Sequence, residues 1–256
     1  MIAMQAYRRD LAYIHDVGFS DYALKSAPGL LQILKKNNIK SGLVVDLGCG
    51  SGRWAAALNV AGYRAFGVDQ SAAMIDLARR IAPRSRFQVG SLLRIGLPEC
   101  DAITAVGECL NYCFDKSNSR TVLQDLFQRV YEALRPGGVF VFDIAEPNRI
   151  PPRLPKRVRA SGADWAILVS IDGDRKLERL RRQIVCFRKV GKRVRRSRET
   201  HMLQLYRSED LVADLRASGF RARKARAYGR YRLPSGISAI IAVKPESSGK
   251  SRRAPR

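Results

Sequence analysis

The segment Val44-Val45-Asp46-Leu47-Gly48-Cys49-Gly50-Ser51-Gly52 decides the fold of this chain. Its first residues are mostly apolar, as expected for a strand that is covered on both faces. Three glycines follow at alternate positions, where the missing Cβ lets the backbone approach a ligand closely. The segment predicts a nucleotide-binding turn, with the ligand lying over the N-terminus of the next helix.

The spacing of the glycines indicates which kind of nucleotide is bound. The dinucleotide fingerprint has the form G-x-G-x-x-G and an acid about 20 residues further on, whereas here the glycines follow G-x-G-x-G. Asp46 precedes the first glycine by two positions, and a second apolar run, 66–68, ends in another acid, Asp69. Strand, turn, helix, strand and acid together indicate more than an ordinary tight turn.

The pattern D-x-G-x-G-x-G at 46–52 resembles motif I of the class I S-adenosylmethionine-dependent methyltransferases. In that family the loop wraps the methionine part of the cofactor, and the acid ending the second strand, here Asp69, accepts hydrogen bonds from both ribose hydroxyls. The segment 134–138 before an apolar strand resembles a later family motif. The family usually carries an aspartate for the adenine amino group where this chain has Ser91, whose hydroxyl or the Leu92 N–H could partly substitute. The cofactor-binding residues that the resemblance implies are Asp46, Gly48, Gly50, Gly52, Asp69, Gln70, Met74, Ser91, Leu92, Gly107 and Asn111.

Strand and helix signals alternate along the first part of the chain. Strands are predicted at 43–47, 64–68, 86–89, 101–106 and 138–144, and helices at 53–62, 71–80 and 119–134. Such alternation predicts a parallel sheet with right-handed crossovers, and ligands lie at the carboxyl ends of its strands. Asp46, Asp69, Gly107 and Asp143 fall at or near those ends. Ser71 is expected to cap the helix that follows it.

Both flanks of this region have a different pattern. Two helices are predicted before it, Gln5–Asp16 and Ala23–Asn37, with Pro28 and Gly29 opening the main stretch of the second. After a proline-rich break, three strands are predicted near 165–171, 177–188 and 193–206, with hairpin turns at 172–174 and 190–192. A helix at 208–218 and strands near 220–227 and 237–243 follow.

These signals and the resemblance predict an α/β fold. It is a Rossmann-like, mostly parallel seven-stranded sheet with helices on both faces, plus an antiparallel β insertion over the active site. The predicted divisions are a helical lid at 1–40, a cofactor-binding core at 41–145, the insertion at 146–207, the completion of the core at 208–245, and a disordered basic tail at 246–256.

Composition excludes several classes of protein. The longest apolar runs are far shorter than the roughly 20 residues of a membrane span, and Arg8, Arg9 and Asp10 interrupt the region that a signal peptide would need. We therefore expect a cytoplasmic protein. The five cysteines form no C-x-x-C pair, so neither a metal site nor a disulfide framework is expected.

Positive charge is concentrated in the second part of the chain. Residues 151–256 hold 29 Lys and Arg against 9 Asp and Glu, whereas the first 150 residues hold 18 against 14, out of a total net charge of +24. Arginine-rich runs at 179–182 and 192–198 could neutralise nucleic-acid phosphates. A solvated strand face is the ordinary alternative. The N-P-P-Y and D-P-P-Y tetrapeptides of nucleic-acid amino-methyltransferases are absent from 107–112.

Candidate catalytic residues follow from position alone. Glu108 and Asn111 come after the fourth strand, where the family places groups that contact cofactor and substrate, although they could instead stabilise their own turn. His201 and His15 are candidate bases at neutral pH, the alternatives being a solvated strand histidine and lid packing. Met74 would fill the apolar side of the adenine pocket or simply pack within its helix.

The resemblance and the predicted insertion together favour one function. We expect an enzyme that transfers a methyl group in line from S-adenosylmethionine to a small-molecule acceptor, mainly by holding the two in near-attack geometry. The alternatives are an RNA or DNA methyltransferase that uses the basic half, and a protein that binds the cofactor without transferring methyl.

Overall fold

The computed structural model describes residues 6–115 and 118–246. Its helices are α1 (Arg9–Phe19), α2 (Asp21–Lys36), α3 (Arg53–Val60), α4 (Ala72–Ile81), α5 (Arg120–Ala133) and α6 (Ser208–Ala217). Its strands are β1 (Leu43–Leu47), β2 (Arg64–Asp69), β3 (Arg86–Val89), β4 (Cys100–Ala105), β5 (Leu134–Ala145), β6 (Lys156–Ser161), β7 (Trp165–Asp174), β8 (Arg179–Val190), β9 (Arg193–Gln204), β10 (Arg221–Ala225), β11 (Ala227–Tyr228), β12 (Tyr231–Arg232) and β13 (Ile237–Val243). The first five residues of the predicted lid and the predicted tail from residue 247 onward lie outside the described residues.

The central sheet has seven strands in the order β10-β13-β5-β4-β1-β2-β3. The pairs from β5 to β3 are parallel, whereas β13 runs antiparallel to both of its neighbours. Two core clusters pack against this sheet: one includes Phe127 of α5 and Leu211 of α6, and a second includes Leu34 of α2 and Leu58 of α3. Helices therefore cover both faces of the sheet, and the predicted α/β fold class is confirmed.

Local chemistry sets several of these boundaries. The Ser71 hydroxyl accepts a hydrogen bond from the Met74 N–H at 3.1 Å, so the predicted cap of α4 is confirmed. The expectation for Pro28 is wrong, because α2 already begins at Asp21 and contains Pro28 in its interior. Gly29 lies where α2 crosses Tyr228, since a Cβ there would stand 2.2 Å from the Tyr228 backbone. That glycine allows close contact between α2 and the β11–β12 hairpin.

The antiparallel insertion is a separate four-stranded sheet in the order β6-β7-β8-β9. The turn predicted at Gly191 is confirmed, but the turn predicted at 172–174 is wrong because these residues continue β7 and the chain turns at 175–178. Strand β6 was not expected. It follows a proline-rich segment, and its residues are nearly all exposed, so no alternating pattern marks it.

Within the described residues, no helix is long and apolar enough to cross a membrane.

Candidate active site

A cavity of about 600 Å³ lies between the carboxyl ends of the central strands and the second sheet. Its floor contains the glycine turn after β1 and the acid that ends β2. Its other walls come from α1, the turn after β4, and the inner face of β7, β8 and β9. Lining residues from these separate elements include Gly50, Asp69, His15, Glu108, Ile184 and His201.

The glycine turn at 48–52 has the backbone geometry that its sequence predicts. Gly48, Gly50 and Gly52 have φ values of +79°, +52° and +78°, which residues with a Cβ rarely adopt. A Cβ on Gly48 would lie 2.5 Å from the Cys109 sulfur, whereas a Cβ on Gly50 would meet no atom within 4 Å. Gly48 is thus required for packing against the turn after β4, and Gly50 leaves open space beside the cavity.

Two carboxylates stand beside this turn. Asp69 accepts the Gly50 N–H at 3.0 Å on one oxygen and the Ser71 N–H at 2.8 Å on the other. Asp46 accepts the Thr104 hydroxyl at 2.8 Å. Burial raises the pKa of both acids, that of Asp46 to about 7, with a further contribution from the charge of Asp69. A cationic group bound between them would therefore favour their ionised forms.

The turn after β4 is held by a third acid. Asp143 accepts the N–H groups of Gly107 and Glu108 at 3.0 and 2.6 Å and the Tyr228 hydroxyl at 2.9 Å. Burial raises its pKa to about 6, while these hydrogen bonds oppose the shift. Asp143 is fully buried and does not line the cavity, so it supports the turn from behind. Glu108 has a left-handed φ of 61°, a strained conformation for a residue with a side chain.

Glu108 belongs to a polar group that faces the cavity. Its carboxylate accepts a hydrogen bond from Arg182 of β8 at 2.7 Å, and Arg149 approaches its other oxygen at 3.6 Å. Arg182 also donates to the Tyr112 hydroxyl at 3.0 Å, and that hydroxyl lies 3.1 Å from the hydroxyl of Tyr7. Burial raises the pKa of both tyrosines, so they are neutral hydrogen-bonding groups at pH 7.

His201 lies in β9 and is 1% exposed. One ring nitrogen, Nε2, lies 2.9 Å from the Glu199 carboxylate, and Nδ1 is buried without a hydrogen-bond partner among the described residues. Rings of Tyr7, Tyr112 and Phe114 pack around it at centroid distances of 4.8 to 5.8 Å. The expectation of a solvated strand histidine is therefore wrong.

The segment before α1 connects the two sides of the cavity. Glu199 of β9 accepts the backbone N–H groups of Tyr7 and Arg8, both at 2.8 Å. On the opposite side the Ser71 hydroxyl donates to the Tyr7 carbonyl at 2.7 Å. His15 of α1 also lines the cavity, and burial lowers its pKa to about 4, so it is neutral at pH 7.

Three of the predicted cofactor residues do not line the cavity. Asn111 is fully buried and does not line the cavity, because its amide group bonds the Ala145 N–H at 2.9 Å, the Ala145 carbonyl at 3.0 Å and the Gln204 carbonyl at 2.7 Å. It connects β5 to β9. Ser91 is also absent from the lining, and its hydroxyl donates to Asp115 at 2.9 Å. The third is Gly52, which is the N-cap residue of α3. The remaining predicted cofactor and catalytic residues line the cavity: Asp46, Gly48, Gly50, Asp69, Gln70, Met74, Leu92, Gly107, Glu108 and His201.

Sequence reasoning missed five residues of this site. Tyr7, Tyr112, Arg182 and Asp115 line the cavity, and Glu199 connects β9 to the segment before α1. Glu199, His201 and Leu203 are buried at alternate positions of β9, and this two-residue period could have indicated an inward-facing Glu and His. No comparable local signal marks the others.

Replacing Asn111 with alanine should lower the free energy of unfolding by about 2–4 kcal/mol, because buried backbone groups at Ala145 and Gln204 lose their partner. Urea unfolding followed by circular dichroism measures the loss. Asn148→Ala is the matched control, since Asn148 is exposed, and it should change the free energy by less than about 0.5 kcal/mol. Equal effects of the two substitutions would contradict the connecting role of Asn111.

Comparisons with known proteins agree with this geometry. Residues 44–138 match the family model of a methyltransferase domain. A putative methyltransferase of Geobacillus sp. (strain WCH70) is 31% identical over 106 residues, which is 40% of this chain and 41% of that protein. The trans-aconitate 2-methyltransferase of Paracidovorax citrulli is 32% identical over 126 residues, covering 48% of this chain and 46% of the relative. The chain thus matches less than half the length of these relatives.

Solved structures resemble the chain over nearly its whole length. A S-adenosylmethionine-dependent methyltransferase from Clostridium acetobutylicum has a TM-score of 0.77 at 20% identity, covering 91% of this chain and 97% of that one. A sugar N-methyltransferase from Streptoalloteichus sp. has a TM-score of 0.74 at 18% identity, with 91% and 92% coverage. The fold is that of the class I S-adenosylmethionine-dependent methyltransferases. Residues 44–138 are the part of the chain that matches a methyltransferase domain.

Proposed function

We propose that this protein transfers a methyl group from S-adenosylmethionine to a small-molecule acceptor. One observation carries the proposal: a single cavity is lined both by the glycine turn with its acids and by the inner face of the second sheet. Its volume of about 600 Å³ is in the range of pockets that bind one or two small molecules. Donor and acceptor can therefore be enclosed together.

The residues present fit the cofactor. Each oxygen of Asp69 accepts one backbone N–H and keeps a lone pair for a ribose hydroxyl. The open space beside Gly50 admits the methionine part of the cofactor, and the acid Asp46 suits its cationic amino group. Met74 and Leu92 supply apolar contacts. Asp115, which lines the cavity beside Ser91, would supply the carboxylate for the adenine amino group.

When bound, the cofactor would supply a sulfonium methyl group: the acceptor atom would bond to the methyl carbon in line as the carbon–sulfur bond breaks, with S-adenosylhomocysteine as the leaving group. The chain's own contribution is to orient the acceptor and to exclude water. Glu108, held by Arg182 at 2.7 Å, and the Tyr7 and Tyr112 hydroxyls are the polar groups available for orientation. His201, whose Nδ1 has no partner among the described residues, is the candidate to take a proton.

The shape of the site favours a small acceptor over a nucleic acid. Apolar side chains of the second sheet, such as Ile167, Val169 and Ile184, form much of the wall. None of the arginines at 193–198 is among the described residues that line the cavity. Among the relatives, names such as trans-aconitate 2-methyltransferase and sugar N-methyltransferase also point to small acceptors.

Two measurements test the proposed function. Calorimetric titration with S-adenosylhomocysteine should show one binding site, and incubation with radiolabelled S-adenosylmethionine and a panel of carboxylates, amines and sugars should transfer label to at least one of them. Absence of cofactor binding would refute the proposal. Binding without transfer to any acceptor class would favour a non-catalytic cofactor-binding protein.

The affinity for S-adenosylhomocysteine should fall as the pH drops from about 7 to 5. Burial raises the pKa of Asp46 to about 7, and the cationic amino group of the ligand favours the ionised carboxylate. Binding below pH 7 must therefore expel a proton, which weakens it by up to about tenfold per pH unit. Calorimetry in two buffers of different ionisation enthalpy counts the protons. Burial also raises the pKa of Asp69. Asp46→Asn leaves Asp69 in place and is therefore the control that isolates Asp46: it should make the profile less steep, and an unchanged profile in that variant would contradict the assignment.

A further inference from the structure

A second cavity of about 480 Å³ adjoins the first. The two share Arg149, Pro151 and Lys156 in their linings, so the second is an outward extension of the first. It lies where the chain leaves β5 and enters the second sheet, on the side of the proline-rich segment at 151–155.

The second cavity is cationic. Arg149, Arg153 and Lys156 line it, and no acidic side chain does so among the described residues. Among the residues that the structure describes, the acid that approaches this group is Glu108, which lies 3.6 Å from Arg149 and already accepts the shorter hydrogen bond of Arg182. One carboxylate therefore faces two guanidinium groups, and Arg153 and Lys156 extend into solvent beyond them. Among the described residues, the cationic side chains of this cavity therefore outnumber the acidic side chains near them.

The wall that carries these cations is braced by backbone contacts. The Arg149 guanidinium donates to the Ser235 carbonyl at 3.1 Å, and its backbone packs against Gly236, where a Cβ would lie only 2.8 Å away. Arg175 donates to the Pro151 carbonyl at 2.9 Å from the other side. Prolines at 151, 152 and 155 restrict the backbone further. The backbone of this wall and the Arg149 side chain therefore lose little entropy when an anion binds, whereas the exposed side chains of Arg153 and Lys156 must become ordered.

Between the cationic end and the acids beside the glycine turn, the cavity is largely apolar. Val158, Val169, Ile171 and Leu180 line this stretch. A ligand that fills both cavities must therefore carry its anionic group at one end, an uncharged body in the middle, and its reacting atom near the methyl donor.

We propose that the acceptor is a phosphorylated small molecule whose phosphate group binds between Arg149, Arg153 and Lys156. The inference rests on the proposed function, because it assigns the far end of the same acceptor site. A ligand with a single carboxylate would need only one arginine, because one guanidinium can donate two parallel hydrogen bonds to it. Phosphate carries about −1.5 to −2 charges at pH 7 and three strong acceptor oxygens, which suits several cations with no nearby acid.

The test uses the full chain saturated with S-adenosylhomocysteine and titrated with inorganic pyrophosphate in a calorimeter. Pyrophosphate should bind, and the double variant Arg153→Ala/Lys156→Ala should weaken its binding by at least about tenfold, since two charge-assisted hydrogen bonds are lost. The affinity for S-adenosylhomocysteine should stay unchanged in that variant, because neither residue contacts the acids beside the glycine turn. Failure of S-adenosylhomocysteine to bind the unaltered chain would refute the proposed function separately.

A matched control separates a site from general positive charge. Arg193→Ala/Arg196→Ala removes the same charge from exposed positions. Arg193 pairs with Val190 and Arg196 with Phe187, which lie eight and five residues beyond Arg182 along β8, or about 26 and 16 Å away. The affinity of this control variant for pyrophosphate should change less than about twofold. Equal losses in the two double variants would overturn the proposal. The phosphate proposal would also be overturned if citrate bound more tightly than pyrophosphate. It would be overturned as well if a single-stranded RNA bound more tightly than pyrophosphate and its binding depended on Arg193 and Arg196.

Discussion

Replacing Asp69 with alanine should weaken the binding of S-adenosylhomocysteine by at least about 100-fold. In the proposed placement of the cofactor, the substitution removes the acceptor for two ribose hydroxyls, and each hydrogen bond to a charged group contributes about 1.5–3 kcal/mol. It also takes away the acceptor that holds the N–H groups of Gly50 and Ser71, at 3.0 and 2.8 Å. The ligand thus loses direct contacts and an ordered turn together. Isothermal titration calorimetry measures the change.

Two further variants make this result specific. Asp69→Asn keeps the shape and one acceptor oxygen, so its affinity should fall between those of the alanine variant and the unaltered chain. Asp76→Ala removes the same charge from an exposed position of α4 and should leave the affinity within about twofold. Equal affinities of the alanine variant at 69 and the unaltered chain would refute the ribose assignment.

Substitution of Gly48 by alanine should lower the free energy of unfolding by about 2–5 kcal/mol. Its φ of +79° costs a residue with a Cβ about 1–2 kcal/mol, and the overpacking adds about 1–3 kcal/mol. The new Cβ would lie 2.5 Å from the sulfur of Cys109 and 2.8 Å from its Cβ. Because Cys109 belongs to the turn after β4, relief of this clash moves one wall of the cavity. Urea unfolding and S-adenosylhomocysteine affinity should both report the change.

Gly62→Ala separates the cost of the positive φ from the cost of the steric clash. Gly62 has a similar φ of +88°, but a Cβ there would meet no atom within 4 Å. Its substitution should therefore cost only about 1–2 kcal/mol and leave cofactor affinity unaltered. If the two variants lost the same stability, the contact with Cys109 would not be what requires glycine at position 48.

Features with local causes could be predicted from the sequence. The glycine turn follows from residues that tolerate positive φ, and the cap at Ser71 follows from a hydroxyl before an apolar helix. Strands β1 and β3 were predicted with the bounds that the structure has, Leu43–Leu47 and Arg86–Val89. Each of these features depends on a few neighbouring residues, which is why pattern and spacing were sufficient.

Features that depend on distant pairing could not be predicted in the same way. Arg182 enters the site because β8 pairs with β9 in a register that sets it opposite His201. That register depends on the turn at Gly191 and on the burial of a whole face, which no short window contains. The turn predicted at 172–174 was wrong for a related reason. Gly173 stays in β7 and packs closely against Ile150, a residue from a different part of the chain.

The carboxylate of Glu199 has a consequence for the order of folding. It bonds the backbone of Tyr7, 192 positions earlier in the chain, so that contact closes a wide loop across the cavity. Contacts of such sequence separation form late, because loop closure must precede any gain from them. During synthesis the glycine turn and its parallel strands, which are close in sequence, can assemble before β9 leaves the ribosome. The nascent chain would thus form the part that carries the glycine turn early, and would close the cavity only when β9 has been made.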